Sequence, residues 1–166
     1  MGSDYLTSPF DDLLKPVDDH LIVHNELMSS LILGNRINIH TSEKGIPDLD
    51  FTNIALIGIP ENRNSVDYLG DELNLNEIRK SLYNLYPGNW STGISDLGNL
   101  ILGNSAEETY GRLISMLTIL LKKKIIPIIL GGSQDMLYAK YRAYDSIQNT
   151  VNIVNVDSNF DLGDSA

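Results

Sequence analysis

The sequence contains no cysteine. That absence excludes disulfide bonds, thiolate metal sites and cysteine nucleophiles, and it fits a reducing compartment. The chain also has no apolar run near the roughly 20 residues that cross a bilayer, and no signal-peptide pattern at its start. We therefore expect a cytoplasmic protein that has no membrane partner.

Basic residues are scarce, because 12 Lys and Arg stand against 22 Asp and Glu, which gives a formal net charge of −10. Proteins bind nucleic acid through clustered basic side chains that displace counterions from phosphates. The basic run Lys122–Lys124 follows an apolar helical stripe, where cations complement the helix dipole and need no partner. The sequence thus argues against a nucleic-acid partner.

Apolar residues are plentiful, at 42% of 166 residues, which suits one soluble domain with a hydrophobic core. Prolines and glycines interrupt the first part of the chain, so residues 1–50 are predicted to be an irregular extension with short helices. Three apolar runs then predict buried strands: residues 54–60, 125–130 and 151–156. Residues 94–98, which read Ile-Ser-Asp-Leu-Gly, predict a further short strand.

Helical patterns lie between these runs. Two capping patterns precede apolar stripes with helical spacing: Asn74 with Glu77, and Ser105 with Glu108. The first of these helices is predicted to end near Pro87, and another helical stretch covers residues 136–147. The alternation of strands and helices predicts an α/β domain over residues 51–166, with a mainly parallel sheet between helical layers.

A double glycine follows the third predicted strand. Gly131 and Gly132 allow a tight turn, and Ser133, Gln134 and Asp135 then open the next helix. Backbone N–H groups at a helix start can bind an anion. A purely structural turn is the alternative, because the spacing matches neither the phosphate loop nor the dinucleotide fingerprint.

Carboxylates follow the fourth predicted strand at Asp157, Asp161 and Asp164. Such a cluster at the carboxyl edge of a sheet suits a hard cation such as Mg²⁺ or Mn²⁺. The alternative is that they are turn residues, since Asp, Asn, Ser and Gly are common turn formers. His20 and His24 have helical i, i+4 spacing, but no third ligand accompanies them and they do not predict a metal site.

The segments "PIILGGSQD" and "NIVNVDSNFD" resemble two signatures of the arginase, agmatinase and formimidoylglutamase family, which read G-G-D-H and D-A-H-x-D. The segments Ile78-Arg79-Lys80 and Ser95-Asp-Leu-Gly98 extend the similarity over about residues 51–166. The resemblance implies a three-layer, mainly parallel sheet. It also implies a binuclear manganese centre that activates a bridging water to hydrolyse guanidino or formimino groups.

This sequence departs from both signatures at the metal ligands that the resemblance implies. Asp157 and Asp161 match the two aspartates of the second signature, but Asn159 stands in place of its histidine. Gln134 replaces the histidine of the first signature, and Ser133 replaces the preceding aspartate. A neutral amide oxygen is a weaker ligand than imidazole for a first-row metal. We therefore expect no manganese cofactor, with Asp157 and Asp161 as remnants of the site.

A later signature of the family, S-x-D-x-D, is absent from the sequence. The resemblance therefore implies an N-terminal portion of the fold, truncated at its C-terminal end. It favours a non-catalytic domain that binds a small molecule or serves assembly. The first alternative is a fragment of an active metal-dependent hydrolase of linear C–N bonds, and the second is a pure protein-interaction module. The candidate binding residues are Gly131, Gly132, Ser133 and Gln134.

A truncated sheet of this kind would have apolar edges, and bare edges attract partners. The sequence therefore predicts one of two arrangements. Either residues 151–156 pair with residues 125–130 within the chain, or a sheet edge mediates self-association into a homo-oligomer.

Overall fold

The computed structural model of the chain describes residues 9–65, 73–89 and 91–156. The elements follow in chain order: β1 Leu14–Lys15, α1 Asp19–Glu26, a 3₁₀ helix Leu33–Asn35, β2 Asn38–Ile39, β3 Ile54–Ile59, α2 Asn76–Tyr83, β4 Ile94–Leu100, α3 Ala106–Lys122, β5 Ile126–Gly131 and α4 Met136–Ser146. No helix in the described ranges is long and apolar enough to cross a membrane.

The sheet is mixed, with a parallel centre. β3 lies between β4 and β5 and is parallel to both, with Ile54 opposite Ile94 on one side and Ile126 on the other. Two short strands from the first 50 residues complete the other end of the sheet. β1 pairs antiparallel with β4, and β2 pairs parallel with it. The predicted α/β class is confirmed.

The two faces of the sheet are covered by different helices. Alternate residues of β3, Ala55, Ile57 and Ile59, are buried in the main core with the long apolar stripe of α3 and the small residues of α4. Each large aliphatic side chain buried there contributes about 1.5–3 kcal/mol. The opposite face carries Leu56 and Gly58, and α2 packs there, with its Arg79 guanidinium close to Gly58. This arrangement gives the three layers that the resemblance implied.

The capping patterns place one helix correctly and misplace another. The Ser105 hydroxyl accepts from the Glu108 N–H at 3.2 Å, and α3 starts at the next residue, as predicted. The Asn74 side chain accepts from the Asn76 N–H at 3.0 Å, but the helix begins at Asn76 with Leu75 as its N-cap and without a side-chain capping hydrogen bond. That helix ends at Tyr83 rather than near Pro87.

The predicted strand at residues 151–156 is not a strand in the structure. Its side chains are exposed instead, with 86% of Val154 and 95% of Val156 accessible to solvent. A β-strand needs a hydrogen-bonded neighbour, and no strand of the described ranges pairs with this segment. The predicted pairing of residues 151–156 with residues 125–130 is therefore wrong.

Candidate functional site

The three parallel strands end at one edge of the sheet, where the loops after β3, β4 and β5 meet. The turn after β5 is built by Gly131 and Gly132, whose φ angles are +77° and +82°. These angles belong to the left-handed region that glycine adopts without strain. The Ser133 N–H then donates to the Glu61 carbonyl at 2.9 Å, which ties this turn to the end of β3.

The start of α4 offers little to an anion. The N–H groups of Met136, Leu137 and Tyr138 already donate to the carbonyls of residues 133–135. The Asp135 carboxylate stands in the same turn and repels negative charge. The glycine turn is therefore required by backbone geometry, and phosphate binding has no support from the contacts around it.

Asp135 is the centre of a polar cluster at this edge. Its carboxylate accepts from the Ser133 and Tyr110 hydroxyls and, at 3.0 Å, from the Asn64 side-chain amide. Burial works against ionisation, but these hydrogen bonds outweigh it and hold the pKa of Asp135 below its usual range. Burial and the nearby carboxylate raise the pKa of Tyr110 to about 12. Asp135 is therefore ionised, and both of its carboxylate oxygens already accept hydrogen bonds.

A second cluster joins the loops after β3 and β4. Glu61 is buried, and its carboxylate pairs with the Arg63 guanidinium, whose Nε lies 2.9 Å from Oε1. The hydrogen bonds from Arg63 lower the pKa of Glu61. Arg63 also donates to the carbonyls of Gly103 and Asn104 and to the Thr109 hydroxyl. This ion pair fixes the loop after β3 against the start of α3.

A third polar network lies between α2 and β4 and is buried. The Asp96 carboxylate accepts from the Arg79 guanidinium at 2.9 and 3.1 Å, from the Tyr83 hydroxyl at 2.7 Å and from the Gly98 N–H at 2.9 Å. Burial alone would lower the pKa of Arg79, but Asp96 reverses the direction and raises it. Burial, together with Asp96, also raises the pKa of Tyr83. The guanidinium further donates to the Asn99 side chain at 2.7 Å. The two charges of the network, Arg79 and Asp96, thus pair with each other.

The glycine turn carries neutral side chains at two positions where the resemblance implies metal ligands. The Gln134 side chain is exposed and carries no charge, and the Ser133 hydroxyl donates to Asp135. Within the described ranges, no group of three or more His, Asp or Glu side chains converges to hold a metal ion. Asp157, Asn159 and Asp161 lie outside the described residues.

The histidines lie in the N-terminal part of the sequence. His20 and His24 lie on α1, at the N-terminal side of the chain. His40 is buried, and its Nδ1 lies 2.9 Å from the Leu97 carbonyl. The His40 ring therefore supports β4.

The sequence patterns located the glycine turn but missed the partners around it. Asn64, Tyr110 and Asp135 are separated by 46 and 25 residues, and neither spacing is a local signal. The pairs Glu61–Arg63 and Arg79–Asp96 were likewise not predicted. An acidic residue directly after a predicted strand, as at Glu61, is the one pattern that could have marked part of this edge.

Comparison with known proteins gives consistent results. The family model described as the arginase family matches residues 52–166. A comparison with curated proteins finds no match. Among solved structures, formimidoylglutamase from Bacillus subtilis is similar, with a TM-score of 0.57, 17% identity and coverage of 90% of this chain and 43% of that one. Trypanosoma cruzi formiminoglutamase with Mn²⁺ gives a TM-score of 0.58, 22% identity and coverage of 76% and 45%. The chain thus spans less than half the length of these structures, and at such identities the likeness concerns the fold.

Proposed function

Because the chain belongs to the arginase family, we propose that it is a ureohydrolase-like domain that has lost the binuclear manganese site and has a binding or assembly role. The proposal goes beyond the fold, which the family shares among its members. It depends on the chemistry of the side chains at the carboxyl edge of the sheet.

One observation carries the proposal: the turn after β5 presents neutral oxygens where a metal site needs charged or imidazole ligands. Ser133 and Gln134 occupy the two positions at which the family signature has aspartate and histidine. The one carboxylate of the turn, Asp135, already accepts three side-chain hydrogen bonds. A cation would compete with these donors for the carboxylate oxygens, and charge-assisted hydrogen bonds of this kind contribute about 1.5–3 kcal/mol each.

The candidate ligands after the fourth predicted strand form a weaker set than the family signature. Asp157 and Asp161 match the family aspartates, but Asn159 stands between them in place of the histidine. Mn²⁺ takes about six oxygen or nitrogen donors and prefers sites where carboxylates and imidazoles converge. Two carboxylates that each bind through one oxygen supply one third of that number, and the neutral amide adds at most one weaker donor. In this proposal, Asp157 serves as a hydrogen-bond acceptor.

The hydrolytic activity of the family is therefore expected to be absent. The intact protein, supplied with Mn²⁺ and with arginine, agmatine or formimidoylglutamate, should release no more urea or formamide than the buffer alone. The reason is that no metal-bound water is available to attack the guanidino or formimino carbon. Colorimetric assays of urea and formamide, run beside an active arginase, make this measurement. Turnover that depends on added Mn²⁺ would favour a metal-dependent hydrolase instead.

A further inference from the structure

A cavity of about 420 Å³ lies in the N-terminal part of the chain. α1, the 3₁₀ helix, β2 and the loop before β3 line it, and every described residue of its wall falls within residues 22–51. Cavities that bind small molecules usually measure about 300–1,000 Å³. The family model matches the chain only from residue 52, so this cavity does not belong to the matched part.

The cavity lies at the end of the sheet opposite the carboxyl edge. Asn38 of β2 lines it and pairs with Ser95, next to the start of β4. Phe51 also lines it and precedes β3, which starts at Ile54. The parallel strands run from this end toward the glycine turn. The cavity is therefore separate from the candidate site described above.

Asn25 on α1 is the unusual residue of the cavity wall. It is only 3% exposed, and no described residue donates a hydrogen bond to its Oδ1. The Nδ2 atom faces the Gly34 carbonyl at 3.4 Å, which identifies the other end of the amide as the oxygen. Buried polar groups nearly always have a hydrogen-bond partner, because an unpaired one is destabilising. The free acceptor thus indicates that a bound molecule supplies the donor.

Gly34 makes room for this amide. A Cβ at Gly34 would lie 2.6 Å from Asn25 Nδ2 and 2.8 Å from the Tyr83 Cβ, so a larger residue does not fit. The 3.4 Å contact of Nδ2 is long for a hydrogen bond, and the χ2 torsion of asparagine has a broad minimum. A small rotation of the amide therefore brings Oδ1 toward the cavity at little cost.

The charged residues of the wall favour one kind of donor. Two carboxylates, those of Glu26 and Asp48, border the cavity, and Lys44 is the only cation among its described lining residues. All three residues are exposed. Their balance is acidic, in line with the net charge of −10 of the whole chain. A cationic donor is therefore favoured over an anionic one.

The rest of the wall is largely apolar. Ile22, Ile37 and Ile39 line the cavity from α1 and β2, and Phe51, which is 82% exposed, stands beside them. Removal of apolar surface from water is favourable in proportion to its area. The wall therefore suits a ligand whose donor group is attached to an aliphatic body.

We propose that this cavity binds a primary amine with an aliphatic body. The ammonium group donates to Oδ1 of Asn25, the carboxylates of Glu26 and Asp48 balance its charge, and the isoleucines contact the aliphatic part. The site gives a location to the binding role in the proposed function and rests on that function only in this sense. Its test uses no metal and leaves the carboxyl edge unchanged, so the two proposals fail separately.

A titration with 3-methylbutylamine, followed by the amide chemical shifts of the isotope-labelled chain, tests the proposal. We expect saturable shifts at Asn25, Gly34 and Gly45, with a dissociation constant in the millimolar range. The neutral probe 3-methylbutan-1-ol has nearly the same shape and should bind about fivefold or more weakly, because it lacks the charge that the two carboxylates attract. An amine that binds no more tightly than the alcohol would overturn the proposal. Failure of both probes to bind would also overturn it, since water would then be the donor to Asn25.

Two matched glutamine variants separate this site from non-specific attraction to an acidic protein. Glu26→Gln should weaken binding of the amine about two- to fivefold, the usual contribution of an exposed charge pair, and leave binding of the alcohol unchanged. Glu77→Gln removes an equally exposed carboxylate on α2 that does not line the cavity, and it should leave binding of both probes unchanged. Equal effects of the two variants on the amine would contradict the site.

Asn25→Leu tests the buried acceptor itself. The substitution removes Oδ1 and keeps a side chain of similar size, so it should reduce binding of the amine and of the alcohol at least about tenfold. Circular dichroism checks that the variant folds, and Glu26→Gln decides the outcome if it does not. Binding of the amine that is unchanged in a folded Asn25→Leu variant would show that the amide is not part of the site.

Discussion

Replacement of Arg79 by methionine is expected to lower the free energy of unfolding by about 3–5 kcal/mol, the usual cost of removing one partner of a buried ion pair. Arg79 and Asp96 are both fully buried, and the guanidinium bonds that carboxylate through Nε and Nη2. Methionine fills much of the same volume but leaves Asp96 as a buried charge without its main partner. Urea unfolding followed by circular dichroism measures the loss.

The matched control for this prediction is Arg142→Met on α4. Arg142 also pairs with an aspartate, Asp145, at 3.0 Å, but both side chains are about half exposed. Exposed pairs contribute roughly 0–1 kcal/mol because water screens them. If Arg79→Met costs no more than Arg142→Met, the buried network between α2 and β4 does not stabilise the fold in the way described.

Gly98→Ala is expected to destabilise the chain by about 2–5 kcal/mol. Gly98 has a φ of +85°, where a Cβ costs about 1–2 kcal/mol of backbone strain. The new methyl group would also lie 2.0 Å from the Lys15 carbonyl oxygen, so β1 must move away from β4. Overpacking of this kind adds about 1–3 kcal/mol. Urea unfolding measures the total, and hydrogen exchange at Leu14 and Lys15 reports on the separation of β1.

Gly111→Ala provides the opposite expectation within the same chain. Gly111 lies in the middle of α3, and a Cβ built there meets no atom within 4 Å. Alanine is favoured over glycine in a helix interior by about 0.5–1 kcal/mol. The two substitutions should therefore change the free energy of unfolding in opposite directions. A neutral Gly98→Ala variant would show that the contact with Lys15 is not tight in solution.

Local sequence signals account for much of the fold. The continuous apolar runs identify β3 and β5. The Ser105 pattern places the start of α3 because both residues of a capping box lie within one helical turn. The double glycine identifies the turn after β5 because only glycine adopts its φ angles without strain.

Long-range partners account for what the sequence did not predict. β1 and β2 are two residues long, and each becomes a strand only because β4 lies beside it. Residues 151–156 show the reverse case, in which a β-prone run without a neighbour forms no strand. The Arg79–Asp96 pair joins residues 17 positions apart, and nothing in either local segment specifies that they meet. Tertiary packing therefore determines the two short strands, the lack of a strand at residues 151–156, and the Arg79–Asp96 contact.

In the candidate site, too, the sequence predicts some features and only the fold shows the others. The substitutions at Ser133 and Gln134 are readable from the sequence and predict a loss of ligand strength. The commitment of Asp135 to Tyr110 and Asn64 is not readable, because these residues come from three separate elements. Only the folded arrangement shows that the carboxylate nearest the glycine turn is already occupied by hydrogen bonds.

The loss of the manganese site is the central claim, and calorimetric titration of the chain with Mn²⁺ near neutral pH tests it most directly. We expect no binding in the micromolar range, and no difference between the unmodified chain and Asp157→Ala. A variant that restores the family residues, Ser133→Asp with Gln134→His and Asn159→His, should bind Mn²⁺ at least about tenfold more tightly, a difference of about 1.4 kcal/mol. Micromolar binding by the unmodified chain that disappears in Asp157→Ala would show that the metal site is intact, and would contradict the account.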